Sequence, residues 1–83
     1  MCYCYILYSE SLDRYYVGAS SDLEGRLTRH NAAHSGFTSK GQPWRIVYFE
    51  EYSDKETAFS RERQLKKWKS RKMIERLCSS RLK

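Results

Sequence analysis

From Cys2 to Ser9 (CYCYILYS) nearly every position is apolar or aromatic, on both alternating faces. That pattern belongs to a central strand covered from two sides, not to one that lies against water. Ser9 to Asp13 supplies turn-forming residues, and Arg14 to Ala19 reads as a second strand. The two predict a hairpin in which Tyr5 and Tyr16 come within a residue or two of facing each other. The period then changes from two to 3.6. Ser21-Asp22-Leu23-Glu24 has capping-box spacing, with the Ser21 hydroxyl placed to accept from the Glu24 amide, and predicts the start of a helix. Leu23 and Leu27 form its inner stripe, and Arg26 and His30, one turn apart, lie at the margin of that stripe. Asn31 to Pro43 (NAAHSGFTSKGQP) is polar and punctuated by Gly36, Gly41 and Pro43, which predicts a mobile loop.

Trp44 to Tyr52 (WRIVYFEEY) reads as a third strand. Ser53-Asp54-Lys55-Glu56 is a second capping box, opening a helix with Ala58, Phe59, Leu65 and Trp68 inward. Ser70 is placed to cap a last helix with Met73, Ile74, Leu77 and Cys78 on its inner face. No repeat, linker or low-complexity segment interrupts the chain. The expected fold is a single α/β domain over residues 1–83, a three-stranded antiparallel sheet flanked by helices in the order β-β-α-β-α-α.

Size and charge sharpen this picture. A chain of 83 residues buries only about 60 to 65 percent of its unfolded surface, so its core must be dense in large side chains. Seven Tyr, three Phe and two Trp meet that need and exclude the aromatic-poor signature of disorder. The formal charge of +6 is unevenly spread: residues 1–60 carry six Lys/Arg against eight Asp/Glu, and residues 61–83 carry ten against two. Such a basic block suits a polyphosphate partner, because each neutralised phosphate releases condensed counterions, although a merely solvated helix face has the same composition. Without a charged stretch leading into an apolar run, and without about 18 consecutive apolar residues, neither a signal peptide nor a membrane span is expected, which points to the cytoplasm. Cys2, Cys4 and Cys78 are an odd number without CxxC spacing and read as buried thiols in a reducing compartment. A zinc site of Cys2, Cys4, His30 and His34 is conceivable, but CxC is poor ligand spacing.

Two residues break the local pattern. Glu62 lies four residues after Ala58 and three before Leu65, so helical geometry turns its carboxylate into the apolar stripe. Burying an unpaired carboxylate costs several kcal/mol, so Glu62 should be paired, with Arg26 or Arg45 for example, or bound to a cation, or at the rim of a cleft. Gly18 weakens its strand unless a bulge, a ligand or another group must come close there. Taken alone, the tyrosines read as sheet aromatics and His30 as a satisfied helix histidine.

Together, however, these residues coincide with a known pattern. Tyr3-Cys4-Tyr5, Tyr16-Val17-Gly18, Arg26, His30 and Glu62 resemble the motif set of the GIY-YIG nuclease superfamily. The segments YCYILYS, LDRYYVGASSDLEGRLTRHN, GFTSKG, PWRIVYFEEY and SRERQLKKWKSRK resemble its small bacterial members, and the likeness covers nearly the whole chain. The resemblance implies a Mg2+-dependent endonuclease, with Mn2+ as an alternative, that hydrolyses DNA phosphodiesters, branched or damaged DNA and a repair role included. In that pattern Tyr16 matches the tyrosine that accepts a proton from water, Tyr5 the one that orients it, and Arg26 the arginine that holds phosphate. His30 matches a position held by Tyr or His, and Glu62 the metal-binding glutamate. Many members have a lysine or another polar residue just after the second motif, where this chain has Ala19, and some have an asparagine beyond the metal glutamate, which this chain lacks at a matching place.

The chemistry is consistent with those roles. Phosphodiester hydrolysis needs a nucleophilic water and stabilisation of the nonbridging and leaving oxygens, which an arginine fork and one hard cation supply. With a pKa of about 10 a free tyrosine is a poor base at neutral pH, so a nearby cation or a His30 relay would have to help Tyr16. Substrate affinity would fall to Arg29, Lys40, Arg63, Lys66, Lys67, Lys69, Arg71 and Lys72, and the protein would be nucleoid-associated. No small-molecule cofactor or membrane is implied. The rival readings are a non-catalytic nucleic-acid-binding module with a vestigial site, and a partner-binding domain in which the cluster is only a buried network.

Overall fold

The computed structural model of the protein describes residues 1–32 and 37–80. Its sheet has three strands, β1 (Cys2–Ser9), β2 (Arg14–Ser20) and β3 (Trp44–Tyr52), in the order β2-β1-β3 and antiparallel throughout. Around it lie α1 (Leu23–Ala32), a single turn α2 (Phe37–Lys40), α3 (Lys55–Trp68) and α4 (Arg71–Ser80). Apart from α2, this is the order expected. Among the described residues no helix is long and apolar enough to cross a membrane.

The unbroken apolar pattern of β1 has a direct structural cause, since each face of the strand belongs to its own core. Cys4 and Ile6 pack with Leu65 of α3 and with Ile74 and Cys78 of α4. Tyr5 and Leu7 pack with Trp44 and, across α1, with Leu23 and Leu27. α1 itself contributes no fully buried residue, so it lies on the sheet as a lid with a half-buried stripe. Met73, expected inward on α4, is 42% exposed, because Ile74 and Cys78, four residues apart, define the buried line and Met73 falls beside it. Burial pushes the Cys4 thiol up to about 12 and the Cys78 thiol up to about 11, which leaves both as inert packing groups.

Both N-terminal caps sit one residue later than the capping-box reading placed them. The Asp22 carboxylate accepts from the Gly25 amide at 3.0 Å and the Asp54 carboxylate from the Thr57 amide at 2.7 Å, so aspartate and not the preceding serine caps α1 and α3. A carboxylate brings a full negative charge to the positive end of the helix, where a hydroxyl brings only a dipole. Ser70 does cap α4, accepting from the Met73 amide.

Of the segment Asn31 to Pro43, expected as a mobile loop, the two ends are tied down. The Asn31 side chain both accepts from the Trp44 amide at 2.6 Å and donates to its carbonyl at 3.0 Å, and Gln42 donates to the His30 carbonyl. These bonds fasten the end of α1 to the start of β3. Gly36 and His34 fall outside the described residues.

Two polar clusters hold the helices in place. On the α3 side of the sheet, Arg61 grips Glu50 through two nitrogens, and Tyr48 and Tyr52 donate to the same carboxylate. Burial pushes the Glu50 carboxyl up, but the hydrogen bonds from Arg61, Tyr48 and Tyr52 outweigh it and hold the group below its ordinary value. At the hairpin end, Arg71 of α4 binds the Asp13 carboxylate at 2.6 Å and its carbonyl at 2.9 Å, and its guanidinium lies over the Tyr15 ring.

Gly18 shows why a strand would keep a glycine. It pairs with Tyr5, and a Cβ at this position would lie 2.5 Å from the Tyr5 hydroxyl oxygen. Tyr5 is 2% exposed and cannot swing aside. Gly18→Ala should therefore cost about 1–2 kcal/mol through overpacking, read as a fall in Tm of about 5–15 °C. An unchanged Tm would mean that the ring has room to retreat.

Candidate active site

β2 is the outer strand of the sheet, and two helices approach it from opposite sides: α1 covers the face that carries Tyr16, while α3 runs across the other. Register places Tyr5 opposite Gly18 and Leu7 opposite Tyr16, so the two tyrosines are diagonal neighbours on the α1 face. Tyr5 is the buried one. Burial first, then the neighbouring Tyr16, push its phenol up to about 12, with Arg26 pulling the other way and Glu62 adding to the rise. At neutral pH Tyr5 is thus a fixed hydrogen-bond donor.

Tyr16 is half-buried and more accessible. Its ring meets His30 edge-on at 4.8 Å and Trp44 at 6.2 Å. The Lys66 ammonium of α3 stands 5.9 Å from the ring centre. Burial, and then the Arg26 charge, hold His30 below its ordinary value, so its imidazole is neutral at pH 7 and able to accept a proton. Arg26 is exposed and forms no ion pair with the described residues. It borders two small cavities of about 230 and 280 Å3, one shared with Arg29 and the other with Lys55, Ala58 and Phe59 at the start of α3. Arg26 thus lines the space between the β2–α1 turn and the start of α3.

Glu62 lies on α3, one turn past Ala58. Its side chain is 18% exposed and is paired at 3.0 Å with Lys66, one turn further along the helix. This corrects the expectation of an Arg26 or Arg45 partner: Arg45 is bound to Glu10 and lies over Tyr8 at the far strand. Of the sequence-derived residues, then, Tyr5, Tyr16, Arg26, His30 and Glu62 share one electrostatic neighbourhood around the outer strand. Cys4 and His30 lie on opposite faces of the sheet, which removes the zinc alternative.

The basic residues divide. Arg29, Lys40, Lys67, Lys69 and Lys72 are exposed. Arg63 is also exposed and donates to Ser60 of its own helix. Lys66 reaches both Glu62 and the Tyr16 ring. Arg71 is half-exposed and already engaged: its guanidinium binds Asp13 and Glu75 and fastens α4 to the hairpin, so a phosphate there would compete with those carboxylates. Sequence reasoning missed Trp44 and Asn31, which back His30, and the Glu50–Arg61 pair beside Glu62. The alternation Tyr48, Glu50, Tyr52 on one strand face was the available signal, an acid flanked by two donors.

A hard divalent cation fits the donor set. Glu62 offers carboxylate oxygens at a partly open position, and its present partner Lys66 is half-exposed, where such an ion pair is weak. Among the described residues no three His, Cys, Asp or Glu side chains converge as a cage. A single carboxylate such as that of Glu62 would be able to hold Mg2+, a hard cation that is commonly bound through one or two carboxylates.

Comparison with known proteins follows the same lines. The family model for the GIY-YIG catalytic domain matches residues 1–75. UPF0213 proteins of Streptococcus pyogenes serotypes M3 and M1 are each 38% identical over 71 residues, spanning 83% of this chain and 75% of theirs. The solution NMR structure of a UPF0213 protein from Bacillus halodurans superposes with a TM-score of 0.58 at 28% identity, over 95% of this chain and 84% of that one.

Proposed function

Because this chain belongs to the GIY-YIG nuclease superfamily, we propose that it is a divalent-metal-dependent endonuclease that hydrolyses DNA phosphodiester bonds at the outer edge of β2. The observation that carries the proposal is the environment of the Tyr5 hydroxyl, which feels Tyr16, Arg26 and Glu62 together although they come from a strand and two separate helices.

The division of labour follows from exposure and charge. Arg26, solvent-facing and unpaired among the described residues, binds the nonbridging oxygens of the scissile phosphate. Tyr16 accepts the proton of the attacking water on its phenol oxygen while its own hydroxyl proton passes to the neutral His30 beside it, so that no stable phenolate forms. Tyr5, locked as a donor, orients the water or the Tyr16 oxygen. Glu62 would hold Mg2+, whose Lewis acidity, when bound, stabilises charge on the phosphate and leaving oxygen. Where many superfamily members place a lysine after the second motif, this chain has Ala19, and the ammonium near Tyr16 comes instead from Lys66. Neither a repair role, nor a branched or damaged substrate, nor a nucleoid location adds to these residues; they extend the same proposal.

The test is direct. Purified protein is incubated with supercoiled plasmid and with forked and nicked oligonucleotides, in Mg2+ or in EDTA. Cutting is expected in Mg2+ only, and Tyr16→Phe should lack it. Cutting that survives EDTA or persists in Tyr16→Phe would belong to a contaminant. Salt-sensitive binding without any cutting would instead identify a binding module with a vestigial site.

A further inference from the structure

Next to the site, and continuous with it through Lys66, lies a cleft of about 680 Å3 between the β1–β2 hairpin and the α3–α4 junction. Val17, Leu65 and Ile74 form its floor, and Arg14, Lys66, Lys69 and Arg71 stand around it. The charges at its rim are not equivalent. Arg71 is neutralised by Asp13, and Lys66 is shared with Glu62. Arg14 and Lys69 make no ion pair with the described residues, and both are exposed. Lys69 also occupies a left-handed backbone position at the end of α3, with φ of 50°. Glycine is more stable there by about 1 kcal/mol, so the chain keeps a cation where the backbone favours no side chain.

We propose that this cleft binds a backbone phosphate of the DNA strand just beyond the scissile position, with Arg14 and Lys69 as its ligands. The inference rests on the nucleic-acid reading above and gives the strand a path. Its scissile phosphate lies at Arg26, it passes Lys66 at the edge of β2, and its next phosphates enter the cleft. Lys66 stands 3.0 Å from Glu62 and 5.9 Å from the Tyr16 ring and also lines the cleft, so the two phosphate seats share a wall. A strand held at both seats is fixed in direction as well as in position, which favours in-line attack at one bond.

The control comes from elsewhere on the chain. Arg45 on β3 and Arg76 on α4 are both exposed, lie outside the cleft and are not among the residues expected to hold substrate. The double variants Arg14→Gln/Lys69→Gln and Arg45→Gln/Arg76→Gln therefore remove equal charge from different places. Binding of a fluorescein-labelled forked DNA is followed by anisotropy in EDTA over a series of salt concentrations, with circular dichroism to confirm folding. The cleft pair should weaken binding about tenfold and lower the salt slope by about one to two units, with the other pair changing affinity less than about threefold. Equal losses in both variants would reduce the cleft to part of a diffuse basic surface, and no loss in the cleft pair would overturn the proposal outright. Because no metal is present, these outcomes are independent of whether the protein cuts. Cleft-specific binding without cutting in Mg2+ would remove the nuclease reading and leave the phosphate seat standing.

Discussion

Glu62→Gln should reduce Mg2+-dependent cutting by about 10²- to 10³-fold while moving the melting temperature by only a few degrees. The activity term comes from charge: an amide keeps the size of the side chain and one acceptor oxygen but holds a divalent cation poorly, and losing charge stabilisation of the phosphate costs about 3–4 kcal/mol of barrier. The stability term is small because the only ion pair of Glu62 among the described residues is the one-turn contact with half-exposed Lys66, and such pairs contribute a few tenths of a kcal/mol. Initial rates on forked DNA and a thermal melt, taken on the same preparation, read both terms. A fall in Tm of more than about 10 °C would recast Glu62 as a structural acid. Undiminished cutting would take it out of the site.

The opposite pairing of effects is expected one strand face away. Glu50→Ala should lower stability by about 2–4 kcal/mol, because it strips Arg61 of a two-point acceptor and leaves the Tyr48 and Tyr52 hydroxyls without theirs. For a domain of this size that is a drop in Tm of about 10–25 °C. The pH dependence carries a sign. The folded carboxyl titrates below its ordinary 4.5, so its contribution is complete above that pH and is lost as the pH falls through the folded value. Urea titrations at pH 7 and pH 3 should therefore show a large gap between wild type and Glu50→Gln at the higher pH and a narrow one at the lower. A gap of equal width at both would assign the loss to packing.

The contrast explains what the sequence could and could not reveal. β1 was legible because a strand with two cores has no polar face, and Glu62 was legible because a carboxylate at positions i+4 from Ala58 and i−3 from Leu65 cannot avoid the inner side of α3. Its partner was missed, since the reading looked to distant Arg26 and Arg45, whereas Lys66, one turn along the same helix, is the neighbour that helix spacing alone offers. The cap positions missed by one residue because Ser-Asp is ambiguous by itself. At α1 the choice depends on Gly25, where a Cβ would lie 2.1 Å from an Asp22 carboxylate oxygen. Arg71 looked like one more phosphate ligand in a basic run. Its commitment to Asp13, 58 residues earlier, exists only once the hairpin and α4 meet.

The two tryptophans have a practical consequence. Trp44 lies 6.4 Å from His30 and 6.2 Å from Tyr16, whereas Trp68 sits beneath the Arg61 guanidinium on the other side of the sheet. The protein thus contains two intrinsic fluorophores with separate views, one beside the reacting groups and one beside the Glu50–Arg61 brace. With each indole alone, emission from Trp44 follows occupancy of the site and emission from Trp68 follows integrity of the brace, with no external dye.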